Sequence, residues 1–229
     1  MVKKKRILEA IPVSVVKRLA ELDMITKRQT ELGLRIMKAY GGAMYPLDMY
    51  IFGALKRSIH LIDGFSEMVR RGNYMCALPI LRLQMDSVMR VSAFWRVAKP
   101  YEVVMQVWQG EGLNNIEDME GNKLKDAFLR EKLTKEYPFF SRMYKETSGY
   151  VHLSKRHIAS QFESVDETER KVSISIGRPK LSDWREPDML EAIDAFIGVT
   201  NILIYYCEGW CRTKDNPLGR NRPAGEVSE

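Results

Sequence analysis

The chain has 229 residues, of which 45% are hydrophobic and 29% are charged, and this balance is typical of an ordinary globular protein. It excludes a largely disordered or fibrous chain, and the length is most simply accounted for by one domain with a substantial core. The formal net charge of +6 is a moderate basic excess, which permits binding to phosphate-rich partners but does not require it.

Cysteine usage and the N-terminal residues both indicate a cytoplasmic protein. Cys76, Cys207 and Cys211 form no even-numbered disulfide framework, and the last two have helical spacing instead of the C-x-x-C of a zinc or redox site. The N-terminus lacks the apolar core of a signal peptide, and the apolar run at residues 195–207 is too short to cross a bilayer. We therefore expect buried thiols and no membrane association, metal or cofactor.

The spacing of apolar residues predicts a mainly α-helical fold. Glycines follow the first two apolar stripes, and prolines precede several others, as expected at helix ends and first turns. The predicted helices cover residues 14–40, 46–71, 73–97, 100–108 and 123–135, a segment that begins at Pro138, and residues 187–211. Residues 109–122 are rich in glycine, asparagine and acids, and we expect a surface loop there.

The apolar period changes between residues 158 and 176, where the sequence V-S-I-S-I alternates. This alternation predicts a β-hairpin, which alone would be marginally stable and is expected to pack against the bundle or pair with another chain. The predicted architecture is one domain over residues 1–211, an up-and-down helical bundle with a small hairpin before the last long helix. Residues 1–6 are expected to form a disordered basic arm, and residues 212–229 a disordered tail.

Residues 138–161 concentrate groups that can move a proton and hold an anion. Lys145, Ser148 and His152 occur at i, i+3 and i+7, so a helix would place them on one face. Lys155 and Arg156 follow immediately. The alternative is that Ser148 and His152 form an ordinary polar pair across a helix interface.

The predicted third helix carries a ladder of charges. Arg82, Asp86 and Arg90 occur at i, i+4 and i+8 in an otherwise apolar sequence. An exposed ladder contributes only about 0.2–0.5 kcal/mol per pair, whereas an internal seam requires every charge to be paired. We expect Arg82, Asp86 and His152 to lie in one cluster.

The second predicted helix has a face on which small residues surround two polar ones. Gly53 and Gly64 frame Arg57 and His60, which leaves room for the close approach of another helix or a ligand. For His60 we favour the simpler interpretation, a hydrogen bond to Asp63 one turn later.

Two segments resemble the HEPN superfamily of bacterial helical bundles, which is tied to toxin–antitoxin, abortive-infection and phage-defence systems. They are A-L-P-I-L-R-L-Q-M-D-S-V-M-R and Y-K-E-T-S-G-Y-V-H-L-S. More narrowly, the chain is similar to a bacterial branch with an Arg-x-x-x-acid third helix and a Tyr-x-x-x-Ser-x-x-x-His segment. Here these are Arg82 with Asp86, and Tyr144, Ser148 and His152. The resemblance covers residues 46–154.

Catalytic members of this superfamily cleave RNA without a metal, through an arginine followed after four to six residues by a histidine. The resemblance implies that His152 is the proton carrier, that Lys145 stands near the position of the arginine, and that Ser148 orients the substrate or the imidazole. Lysine keeps the charge but lacks the planar fork of a guanidinium, so the chain departs from the catalytic pattern at this point.

The resemblance also implies RNA or a nucleotide as the ligand, with cations on its phosphates and tyrosines stacked on its bases. The side chains assigned to binding are Arg82, Asp86, Arg90, Tyr144, Tyr150, Lys155 and Arg156. One hypothesis is a homodimeric RNA-directed protein, either a metal-independent endoribonuclease or an inactive, binding-only descendant of one, in which two copies of the His152 face form one cleft. The alternative is a non-enzymatic helical module that binds a partner protein or a nucleotide.

Overall fold

The computed structural model describes residues 10–215, and in this part of the chain the predicted helical bundle with one hairpin before the last helix is confirmed. The helices are α1 (Val13–Lys38), α2 (Pro46–Arg70), α3 (Tyr74–Ser92), α4 (Pro100–Trp108), α5 (Asp126–Glu136), α6 (Phe139–Val151), α7 (Lys155–Ala159) and α8 (Glu186–Asp215). The strands are β1 (Phe162–Asp166) and β2 (Lys171–Ile174).

Local sequence explains most helix boundaries. Pro46 and Pro100 occupy the first turns of α2 and α4, where a missing N–H is harmless. The side chain of Asn73 caps α3 by accepting a hydrogen bond from the backbone N–H of Cys76 at 3.2 Å. Several predicted boundaries are wrong. A 3-10 turn replaces the last residues predicted for α3, and α5 begins at Asp126 because Lys123 pairs with Glu117 in an isolated β-bridge.

The core is organised around α3, which packs against α2, α5, α6 and α8, while α1 lies against α2 and α8. The rings of Phe65 and Phe196 stack at 4.3 Å between centroids. Buried Gln84 donates hydrogen bonds to Ser58 at 2.6 Å and to Thr200 at 3.0 Å. Because these residues belong to α3, α2 and α8, one amide links three helices.

The last helix extends beyond the predicted domain end at residue 211. The fully buried ammonium of Lys214 lies 3.0 Å from an Asp48 carboxylate oxygen and donates a hydrogen bond to the Ile36 carbonyl at 2.8 Å. Trp210 donates to the other Asp48 oxygen at 2.8 Å. This ion pair holds the last turn of α8 on the bundle, so the prediction of a tail from residue 212 is wrong for residues 212–215. The rest of that tail, residues 216–229, and the predicted arm at residues 1–6 lie outside the described residues.

One helix in the described part of the chain, α8, has the length and apolar character of a membrane span. Its residues Glu186–Lys214 reach a mean hydropathy of 1.4 in an 18-residue window, and 56% of that window is buried inside the protein. Only residues 195–207 were judged from the sequence to be too short to cross a bilayer, whereas the whole of α8 is long enough. Burial against α1 and α3 identifies α8 as the core helix of the bundle.

Cysteine exposure differs from the prediction at one position. Cys207 and Cys211 are buried, and burial raises the pKa of the Cys207 thiol well above its usual range. Cys76, in contrast, is exposed, because it lies in the first turn of α3 on the side away from the core.

The hairpin lies outside the bundle. Its strands are antiparallel, with Val165 opposite Val172 and Phe162 opposite Ile174, and every residue of both strands is exposed. The bundle therefore does not cover the hairpin, and the expectation that the hairpin packs against the bundle is wrong. Pairing with another chain stays a prediction.

Candidate functional site

His152 does not share a helix face with Lys145 and Ser148. Helix α6 ends at Val151, and His152 has an extended backbone with φ −109° and ψ 145°. The hydroxyl of Ser154 donates to the Gly149 carbonyl at 2.7 Å and accepts from the backbone N–H of Arg156, so it connects the end of α6 to the start of α7. The predicted common face is therefore wrong for His152.

The three residues predicted to be catalytic are not assembled within one chain. Lys145 and His152 are exposed, and neither side chain has a hydrogen bond or ion pair with another residue in the described part of the chain. The Ser148 hydroxyl donates to the Tyr144 carbonyl at 2.6 Å, so the alternative Ser148–His152 pair is also not formed. A single chain thus offers an exposed imidazole without a positioned acid, base or hydroxyl beside it.

The charges of α3 belong to a paired network, which we call the arginine network. Asp86 accepts hydrogen bonds from Arg57 at 3.2 Å and from Arg90 at 3.3 Å. Arg90 also donates to Asp126 at 2.6 Å, and Arg82 lies 4.0 Å from the same carboxylate. The side chains of Arg82 and Asp86 are 14% and 21% exposed, so the ladder is a partly buried seam with its charges paired.

Tyr144 joins the arginine network from α6. The guanidinium carbons of Arg82 and Arg130 lie 3.7 Å and 4.8 Å from the centre of its ring, and Arg82 also donates a hydrogen bond to its hydroxyl. His152 has no hydrogen bond, ion pair or ring contact with the network, so the predicted cluster holds for Arg82 and Asp86 only. Three guanidiniums, those of Arg57, Arg82 and Arg90, pair with the two carboxylates of Asp86 and Asp126, and Arg130 adds a fourth over the Tyr144 ring, so the network has a positive charge.

An apolar cleft of about 440 Å³ opens beside this network, between α2, α3 and α4. Arg57 and Arg90 lie on its lining together with Tyr50, and Trp108 stands at its edge, 73% exposed. Burial raises the pKa of the Tyr50 hydroxyl to about 12, so this ring stays neutral at physiological pH. A side chain added at Gly53 would meet nothing within 4 Å, which confirms that this face of α2 is open.

Tyr150 and Arg156 lie in a different pocket, of about 380 Å³, between the start of α3, α6 and the start of α8. Its aromatic wall includes Tyr74 and Trp184, and the Arg156 guanidinium lies 5.4 Å from the centre of the Tyr150 ring. The pocket is also lined by four carboxylates, those of Glu146, Asp183, Asp188 and Glu191. Since carboxylates outnumber the single cation, the local charge disfavours a phosphate here.

The residues predicted to bind ligand therefore do not form one site. Arg82, Asp86, Arg90 and Tyr144 belong to the arginine network, whereas Tyr150 and Arg156 line the acidic pocket and Lys155 is exposed. The sequence did not predict Trp108 and Tyr50 as site residues, because neither belongs to a recognisable motif. Arg57 was singled out because glycines lie on the same helix face, and not as a partner of Asp86.

No group of three or more His, Cys, Asp or Glu side chains within residues 10–215 is arranged to hold a metal ion. No protein-family model, curated protein or solved structure matches the chain. The structure defines the class as a helical bundle with a positively charged network beside an apolar cleft. A proposal about the function must therefore be argued from the chemistry of that site.

Proposed function

We propose that the protein is a HEPN-like, RNA-directed binding module that acts in a cytoplasmic defence or toxin–antitoxin setting. It takes an unstacked base of single-stranded RNA into the apolar cleft and the neighbouring phosphates onto the arginine network. One observation carries the proposal, namely that Arg57 and Arg90 line a cleft whose other walls are mostly apolar and aromatic.

The two halves of this site suit the two halves of a nucleotide. A base gains about 1–3 kcal/mol by stacking on an aromatic side chain, and Trp108 is the exposed ring at the edge of the cleft. Guanidiniums bind phosphate with paired N–H groups, and Asp86 already orients both Arg57 and Arg90. The phosphates therefore meet donors that are held in place before binding.

Binding is measured by fluorescence anisotropy with a labelled single-stranded RNA at several salt concentrations. We expect Arg57→Gln to weaken binding by about tenfold, which is 1.4 kcal/mol, and to lower the salt dependence by about one phosphate contact. Trp108→Ala is expected to cost about 1–3 kcal/mol with an unchanged salt dependence, because it removes stacking only.

Arg70→Gln is the matched control for Arg57→Gln. Both arginines lie on α2, their side chains are 42% and 44% exposed, and each forms one ion pair, with Asp86 and Glu67 respectively. Equal effects of the two substitutions would contradict a specific site. Mononucleotide binding that Arg57→Gln weakens, without any preference for a strand, would favour the alternative, a nucleotide-binding module.

A second candidate is metal-independent RNA cleavage by a homodimer. The observation that favours it is an exposed apolar surface around the exposed His152, since Val151, Leu153 and Ile158 are 50%, 88% and 56% exposed. A second copy that covers this surface would bring two His152 imidazoles, and the Lys145 side chains, to one interface. The single chain does not position these groups for catalysis, so the activity requires the dimer.

Cleavage by this route is expected to persist in EDTA and to leave 2′,3′-cyclic phosphate ends. His152→Ala is expected to reduce the rate by about 10²–10⁴-fold, as for loss of a general acid or base. Lys145→Arg restores the planar fork at the same charge and is expected to increase the rate. The cleavage proposal is wrong if wild type and Lys145→Arg are both inactive on a broad RNA panel.

A further inference from the structure

Helix α1 carries one polar side chain in its buried stripe that the protein leaves unpaired. Gln29 is 1% exposed, and neither its Nε2 nor its Oε1 has a hydrogen-bond partner among the described residues. The neighbouring buried positions of α1, including Leu22 and Leu32, are aliphatic. A buried carboxamide without partners opposes folding, so the free protein gains no stability from glutamine at this position.

Gln29 lines a cleft of about 220 Å³ between α1 and α2. The other walls are mostly apolar, with Phe52, Leu55 and Ile59 from α2, and Gly33 leaves room on the α1 side. Lys56 and His60 also line the cleft and are exposed, and neither forms an ion pair within residues 10–215. No hydrogen bond joins His60 to Asp63 in the described part of the chain, so the simpler interpretation of His60 is wrong.

We propose that this cleft binds the base of a nucleotide, with the Gln29 carboxamide paired to a base edge. A carboxamide presents one acceptor and one donor group side by side, and nucleobase edges present the complementary pair. Phe52 supplies an aromatic wall for the planar ring. The free Lys56 ammonium and the exposed His60 imidazole then face the phosphate.

A nucleotide fits this set of groups better than a partner protein does. An apolar protein segment would satisfy the amide and the apolar walls, but it would leave the Lys56 ammonium and the His60 imidazole on the lining without a role. The cleft is also separate from the apolar cleft, because Gly53 and Arg57 line the latter while Phe52 and Lys56 line this one. The inference therefore does not depend on the proposed function.

The four ribonucleoside monophosphates are titrated into the full chain, and isothermal titration calorimetry measures their binding. Thermal unfolding of the free protein is measured in parallel. We expect at least one to bind with a dissociation constant below about 1 mM. Gln29→Leu is expected to weaken that binding by about tenfold or more, since it removes both hydrogen bonds. The same substitution is expected to raise the melting temperature of the free protein, because it replaces an unpaired amide by an apolar side chain.

Lys56→Gln provides a second variant that does not touch the core. It is expected to weaken the monophosphate but not the matching nucleoside. Arg57→Gln and Trp108→Ala, which affect the apolar cleft, are expected to leave this binding unchanged, so failure of the two proposals can be distinguished. The inference is overturned if no monophosphate binds, if Gln29→Leu binds as wild type does, or if Gln29→Leu lowers the melting temperature.

Discussion

Asp86 controls the geometry of the arginine network at the scale of a single residue. Its two carboxylate oxygens hold Arg57 and Arg90, which come from different helices and line the same cleft. Arg90 has a second partner in Asp126, whereas no other described carboxylate pairs with Arg57. Loss of Asp86 therefore releases one guanidinium and loosens the other.

Asp86→Ala is expected to lower the free energy of unfolding by about 1.5–3 kcal/mol, the range for hydrogen bonds to charged groups. The value lies below that for a fully buried pair because the Asp86 side chain is 21% exposed. Urea denaturation measures it. Glu67→Ala, which removes the exposed pairs of Arg70 and Arg71, is the control and is expected to cost less than about 1 kcal/mol. Similar costs for both variants would show that Asp86 is only a surface charge.

The seam of α3 was predictable from sequence, but its partners were not. Arg82, Asp86 and Arg90 have helical spacing, so their common face follows from local geometry. Arg57 and Asp126 reach Asp86 and Arg90 from distant positions in the chain, and no local pattern encodes such pairs. The position of His152 was predicted wrongly because the helical period was continued past the end of α6 at Val151. After that end, the Ser154 hydroxyl donates a hydrogen bond to the Gly149 carbonyl of the last turn.

At the scale of elements, the last turn of α8 shows how one buried pair can extend a helix. Residues 212–215 lack an apolar pattern, so sequence periodicity gave no reason to continue the helix. The ammonium of Lys214 is nevertheless buried against Asp48, which also accepts hydrogen bonds from Trp210 and from the backbone N–H of Tyr45. Periodicity detects apolar burial but not a buried lysine, so the prediction ended too early.

Two truncated chains test this element. A chain that ends after residue 211 is expected to be about 3–5 kcal/mol less stable than one that ends after residue 215, because it leaves the Asp48 carboxylate buried without its cation. Chemical denaturation of both compares the free energies of unfolding. Asp48→Asn in the shorter chain is expected to restore part of the loss, since it removes the unpaired charge. Equal stability of the two truncated chains would show that Lys214 does not stabilise the bundle.

At the scale of the whole molecule, the described chain consists of a packed bundle and a hairpin that the bundle does not cover. Val165 and Val172 face each other across the strands, as do Phe162 and Ile174, and all four are about half exposed. Isolated two-stranded hairpins are marginally stable in water, so an apolar face of this kind is expected to be covered when the protein functions. The sequence predicted the hairpin from its alternation, but alternation does not reveal which surface covers it.

Replacing residues 162–174 by a short glycine–serine linker removes the hairpin and tests whether the bundle is stable without it. The melting temperature of the monomer is expected to change by the equivalent of less than about 0.5 kcal/mol, as for other surface changes, because the removed strands have no buried residue.

Sedimentation velocity of the full chain then tests whether the hairpin pairs with a second copy. Val172→Lys places a charge on the apolar face and is expected to shift a homodimer towards monomer, whereas Glu167→Lys, in the exposed turn between the strands, is expected to leave it unchanged. A dimer that persists in Val172→Lys and in the linker variant would place the interface elsewhere, with the exposed surface around His152 as the next region to substitute.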